Sequence, residues 1–142
     1  MRWLLLDEVV SIEKNSKACT RSRVPEGPVS AELLLMEMMA QTGGLLLGAE
    51  KDFQEDIVFA KIEAADFFNP LPGQALEIES ACEGLRTEGS WMDAVVKERG
   101  GRLVAKSRFL LISVGRLAPG IEKPIVFHEA FMNHFRVREK VK

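Results

Sequence analysis

The chain has 142 residues, 46% of them hydrophobic and 28% charged, a composition that excludes disordered and fibrous classes and suits one domain with a sizeable core. Its formal net charge of −2 offers no positive field to a nucleic acid, and only the tail is locally basic, with Arg136, Arg138, Lys140 and Lys142. Cys19 and Cys82 lie far apart, match no metal-ligand spacing and read as reduced core residues.

In chain order, Trp3 to Glu13 reads as a strand. Asp7 and Glu8 end its opening apolar run too early for a signal peptide. Lys14-Asn15-Ser16 has turn chemistry, so Ala18 to Val24 is expected to return as a second strand, followed by a loop at Pro25-Glu26-Gly27-Pro28. Ser30 is a fair helix N-cap and Glu32 suits the positive end of the helix dipole; the helix should end between Gly48 and Lys51.

That helix is unusual in composition. From Leu33 to Ala49 nearly every side chain is apolar or small, the polar exceptions being Glu37, Gln41 and Thr42. A helix apolar on all sides belongs in the interior of a fold. Its length approaches that of the shortest membrane spans, ~17 residues, but a Glu and a Gln within it argue against a span, and a cytoplasmic location is expected. Glu37 and Gln41 stand four apart and share one face. A carboxylate in such surroundings costs free energy unless paired, and its pKa rises, which is the property proton transfer requires.

Beyond the helix, Asp56 to Asp66 has strand character, with Ile57, Phe59 and Ile62 among its apolar members, and Asn69-Pro70-Leu71-Pro72-Gly73 signals a tight turn. From Gln74 the pattern alternates, Leu76, Ile78, Ser80 and Cys82 against Glu77, Glu79 and Glu83, as in a half-solvated strand. Thr87 to Ser90 and Gly100-Gly101 read as hairpin turns flanking strands at Trp91 to Glu98 and Arg102 to Val114. The fold class is α+β, an antiparallel sheet wrapped around one long buried helix. The expected division is a domain over 1–115 and an extension over 116–142. In the extension, Phe127, Phe131 and Phe135 at four-residue spacing predict an amphipathic helix from Val126 to Arg138, packed on its own domain or across a dimer contact, or serving a partner or as a lid.

Four segments carry a family resemblance: Leu35-Met36-Glu37-Met38-Met39-Ala40-Gln41-Thr42-Gly43, Phe59-Ala60-Lys61-Ile62-Glu63, the turn Phe67 to Gly73, and Leu4-Leu5-Leu6-Asp7-Glu8-Val9. Together, over about Trp3 to Val114, the chain resembles the 3-hydroxyacyl-(acyl-carrier-protein) dehydratases of the hot-dog fold, the hydroxymyristoyl dehydratase type. The resemblance implies a homodimer paired through the sheet, an acyl thioester on acyl carrier protein or CoA in an interface tunnel, and removal of water to give a trans-2-enoyl product without metal or organic cofactor. Glu37 matches the family's helix Glu, the candidate catalytic residue, and Gln41 the Gln one turn later. The implied substrate-positioning set adds Arg23, Glu32 and Leu33, and the acyl-tunnel candidates are Met36, Met38, Phe59, Phe67 and Phe68.

The family's loop His, which works with the Glu across the dimer, is missing. Counting fourteen positions back from Glu37 lands on Arg23, and allowing a gap removes the loop altogether; the only histidines are His128 and His134 in the tail. A guanidinium stays protonated and cannot cycle as a base, although it can polarise a carbonyl or hold an anion. Ala31-Glu32 replaces the family's Pro-Gly at the helix start, and Asp66, Phe68 and Asn69 stand where basic residues often meet an acidic carrier protein. Three readings stay open at this point: a lyase, a thioesterase, and a non-catalytic acyl-binding or partner subunit.

Overall fold

The computed structural model describes residues 4–82, 89–115, 120 and 127–142. Among these, β1 (Glu8–Glu13), β2 (Lys17–Arg23), β3 (Asp56–Phe67), β4 (Ala75–Cys82), β5 (Gly89–Glu98) and β6 (Leu103–Gly115) form one sheet in the order β1-β2-β4-β5-β6-β3. Every neighbouring pair is antiparallel. Asn15, at φ +61, turns β1 into β2, and Gly100 and Gly101, both at φ +120, turn β5 into β6. Thr87 and Glu88 of the expected turn at Thr87 to Ser90 lie outside the described residues, and Gly89 and Ser90 already belong to β5. Helix α1 (Ala31–Glu50) leaves β2, touches every strand and delivers the chain to β3 at the opposite edge.

Ser30 starts α1 as expected, extended at φ −63 and ψ 145, with its hydroxyl accepting the Leu33 N–H at 3.3 Å. From Thr42 to Ala49 burial is unbroken for about two turns, so this half of the helix has no solvent side. Polar groups packed here are satisfied by hydrogen bonds within the helix and to the sheet. Thr42 donates to the Met38 carbonyl at 2.8 Å and shares a 2.8 Å hydroxyl contact with Thr20, while Ser80 donates to the Met39 carbonyl at 2.9 Å. The alternation in β4 holds, with Leu76, Ile78 and Ser80 buried under the helix and Glu77 exposed. Among the described residues, no helix is long and apolar enough to cross a membrane.

Three expectations need correction. The strand expected from Trp3 begins at Glu8; Trp3 lies outside the described residues, and the backbone of Leu5 bonds side chains in place of a ladder: its N–H goes to Gln41 and its carbonyl accepts from Ser22. The strand expected over Asp56 to Asp66 is present as β3, where register shifts between Phe59 and Lys61 and between Ile62 and Ala64 change which residues face inward, and Phe59 through Asp66 are all exposed. Cys19 is not a core residue; it sits half-buried on the outward face of β2, where burial and then the Glu77 and Glu79 carboxylates push its thiol pKa up.

The C-terminal helix is two short helices, α2 (Glu129–His134) and α3 (Val137–Lys140), broken at Arg136, whose φ is +51. The break turns the chain end onto the edge of the sheet. Val141 bridges Ile12 in parallel, Lys142 N–H donates to the Ile12 carbonyl at 2.8 Å, and Val137 is buried. The edge strand β1 is thereby met at Ile12, whereas among the described residues no further strand pairs with the outer edge of β3, where Phe59 and Ile62 are exposed.

Candidate active site around Glu37

The first half of α1 keeps one partly open stripe. Leu34, Glu37 and Gln41 are each half-buried, while Leu35, Met36, Met38 and Met39 between them are buried. Helical spacing places Glu37 and Gln41 together, and Gln41 Nε2 donates to Glu37 Oε1 at 3.1 Å. The Leu5 N–H donates to Gln41 Oε1 at 3.1 Å. A backbone N–H can only donate, so that bond fixes which way the Gln41 amide points and leaves its NH2 group for the carboxylate. Burial raises the Glu37 pKa above the ordinary glutamate value, and the Gln41 bond opposes that rise without cancelling it. The result is a carboxyl group that is oriented and partly desolvated, and that holds a proton more tightly than an ordinary glutamate does.

A cavity of about 650 Å³ opens beside this stripe, between the N-terminal segment and the loop that feeds α1. Leu34, one turn before Glu37, and Leu5, bonded to Gln41, form part of its wall; Arg23, Asp7 and Glu26 bring charge to it. Glu37 itself stands outside the lining, at the cavity's helical margin. Arg23 is exposed and donates to the Gly73 carbonyl at 3.0 Å, tying the end of β2 to the turn before β4, with no bond to Glu37. The partner of Glu37 is Gln41.

The other sequence candidates are scattered. Glu32 and Leu33 are exposed at the first turn, and the Leu33 N–H is taken by Ser30. Met38 is fully buried and Met36 nearly so, while Phe67 packs partly buried against the core. Phe59 stacks on Phe109 with ring centroids 5.4 Å apart and remains 38% exposed; Phe68 is 40% exposed. Within one chain these five do not form a single wall. His128 caps α2 through Nδ1, 3.2 Å from the Phe131 N–H, and His134 stands edge-on to Phe135. Reading the sequence missed Leu5 as the donor that sets Gln41, and Asp7 and Glu26 as cavity residues. Nothing local signals Leu5, since its role is a backbone contact 36 positions away.

No family model matches the chain. Among curated proteins, it is 31% identical over 124 residues to a 3-hydroxyacyl-(acyl-carrier-protein) dehydratase FabZ of Granulibacter bethesdensis, covering 75% of this chain and 71% of that enzyme. The chain belongs to the FabZ-type dehydratase family. It is also 31% identical over 112 residues to the bifunctional enzyme LpxC/FabZ of Chlorobaculum tepidum, of which the match spans 24% of the length and 69% of this chain.

Solved structures agree on the hot-dog fold. One chain of the dehydratase heterocomplex ApeI:P from Xenorhabdus doucetiae superposes with a TM-score of 0.65 at 16% identity, over 79% of this chain and 84% of that one. A hypothetical thioesterase from Streptococcus pneumoniae, solved with coenzyme A, gives 0.62 at 16% identity, over 78% and 88%. In this FabZ-type chain Glu37 and Gln41 form a hydrogen-bonded pair, while its two histidines, His128 and His134, lie on the C-terminal segment.

Proposed function

We propose that the chain is a 3-hydroxyacyl-thioester dehydratase in which Glu37 is the acid/base group and the acyl chain arrives on acyl carrier protein or CoA. The observation that carries this reading is Glu37 itself, held by Gln41, with a pKa raised by burial, beside a cavity large enough for part of a thioester. Membership of the FabZ-type family supports the substrate class.

The chemistry uses one carboxylate twice. As the anion, Glu37 takes the C2 proton, which the thioester carbonyl acidifies. The resulting carboxylic acid gives that proton to the C3 hydroxyl as the C3–O bond breaks, so water leaves, the enoyl double bond forms and Glu37 returns to its starting state. A raised pKa serves the first step by making the carboxylate a stronger base than an ordinary glutamate. Arg23, on the cavity wall, is the side chain placed to meet an anionic part of the substrate or carrier. The outer edge of β3, with no further strand paired to it among the described residues, supports the basic unit being a dimer paired along that strand, which would cover Phe59 and Ile62.

A second reading is thioester hydrolysis. It is favoured by the bonding of Glu37, which among the described residues is to the Gln41 amide and not to a second titratable group. One carboxylate activating a water molecule suffices for that reaction. Incubation with 3-hydroxyacyl thioesters of several lengths, following both enoyl product and free thiol, separates the two. Enoyl formation lost in Glu37→Gln supports dehydration, and thiol release lost in the same variant supports hydrolysis. Saturable acyl binding with neither product supports an acyl-binding or partner subunit and overturns both catalytic readings.

A further inference from the structure

Helix α1 carries three glycines in its buried half. A glycine inside a helix costs about 1 kcal/mol relative to alanine, so each calls for a reason. Packing supplies it for two of them. A Cβ at Gly43 would lie 3.1 Å from Leu111 and 3.3 Å from Met92 and Phe109. A Cβ at Gly48 would lie 2.5 Å from Cζ of Phe127 and 3.1 Å from Phe53. Gly44 differs: among the described residues, no heavy atom comes within 4 Å of a Cβ built there.

Gly44 and Gly48 are also in register with the candidate active site. Glu37, Gln41, Gly44 and Gly48 follow one another at i, i+4, i+7 and i+11, one face of a 3.6-residue helix. Gln41 leans back towards Glu37, and beside the buried Gly44 no described heavy atom occupies the space a side chain would fill. The face is then stopped at Gly48 by the ring of Phe127, which is 5% exposed. That ring is braced edge-on by Phe53 at 5.2 Å and by Phe131 at 6.1 Å, and the segment behind it is tied to β1 through Val141 and Lys142. In the other direction from Glu37 the surroundings carry charge, with Asp7, Arg23 and Glu26 on the cavity wall. A polar carrier arm belongs on the charged side and an apolar tail on the glycine side.

We propose that Phe127 sets the chain-length limit of the site: the acyl tail runs from Glu37 over Gly44, and its terminal carbons meet the Phe127 ring seated on Gly48. This rests on the acyl-thioester reading above. Glu37 and Gly48 are eleven residues apart, about 16 Å along the axis; van der Waals contact with the Phe127 ring takes up about 4 Å of this, leaving room for a tail of roughly ten carbons.

The test measures binding and dehydration of 3-hydroxyacyl-CoA thioesters of increasing length with the full chain. In the wild type, affinity stops rising or falls beyond roughly ten carbons. In Phe127→Ala the limit moves to longer chains. In Gly44→Leu the ratio of long-chain to short-chain affinity drops at least tenfold. Thermal melts accompany each variant, and because a side chain at Gly44 meets open space, Gly44→Leu is the arm that survives if Phe127→Ala does not fold. An identical length profile in the wild type and in every folded variant overturns the stop. If the profile shifts but no enoyl product forms at any length, the stop stands and the dehydration reading falls. Enoyl product with an unshifted profile has the opposite meaning, and no acyl binding at any length overturns both.

Discussion

The two halves of α1 are built from similar residues and are used differently. From Thr42 to Ala49 every residue is buried from solvent, and the polar side chain there, the Thr42 hydroxyl, is turned onto its own backbone and onto Thr20. From Ala31 to Gln41 the stripe through Leu34, Glu37 and Gln41 stays partly open. A hydroxyl can be satisfied inside a close-packed layer by one carbonyl, but a carboxylate cannot. The carboxylate therefore sits where one side of the helix is uncovered, with an amide to hold it. The closed half supplies rigidity and the half-open one supplies chemistry.

The sharpest way to test that division is to strike each half and read stability and turnover separately. Leu46→Ala, in the closed half, should lower unfolding free energy in urea by about 3 kcal/mol while leaving product formed per folded molecule unchanged. A loss well under 1 kcal/mol would remove the distinction. Glu37→Gln should do the reverse, reducing turnover at least a hundredfold by steady-state assay with little effect on urea stability at acid pH.

The same variant has a pH signature. Because the folded-state pKa of Glu37 is raised, its contribution to stability is fully present below the unfolded-state pKa and is lost as pH rises through the folded value. Urea melts across that window should show wild-type stability falling relative to Glu37→Gln as pH rises. A parallel pair of curves would mean that burial does not perturb the carboxyl.

Two smaller effects probe how the halves are secured. Thr42→Val removes the hydroxyl that Thr20 shares inside the core and should cost about 1–3 kcal/mol, seen as a lower denaturation midpoint. Ser30→Ala removes the N-cap of the open half and should cost about 1 kcal/mol or less, because the first turn is already exposed. Should Ser30→Ala prove the more damaging, the open half would be contributing more to stability than its exposure indicates.

How much of this is legible in the sequence depends on the range of the interaction. Ser30 as N-cap, the end of the helix near Lys51 and the burial of Leu76, Ile78 and Ser80 all follow from local dihedral preferences and periodicity. The Glu37–Gln41 bond is legible for the same reason, being a one-turn contact. The donor that orients Gln41, the bulges that expose Phe59 and Ile62, and the break at Arg136 are not. Each arises where distant segments meet and compete for the same backbone groups.

By itself, then, the sequence determined an α+β chain with a helix apolar nearly all round, a carboxylate and an amide on one face of it, and a resemblance to the FabZ-type family. Only the tertiary structure decided that Leu5 holds Gln41 in place, that β1 is met at Ile12 while no described strand pairs with the outer edge of β3, and that Phe127 comes down on Gly48 in line with Glu37. The physical reason is that a helix's periodicity places its own residues on a face, but which segment fills or leaves that face is settled by packing between parts of the chain far apart in sequence.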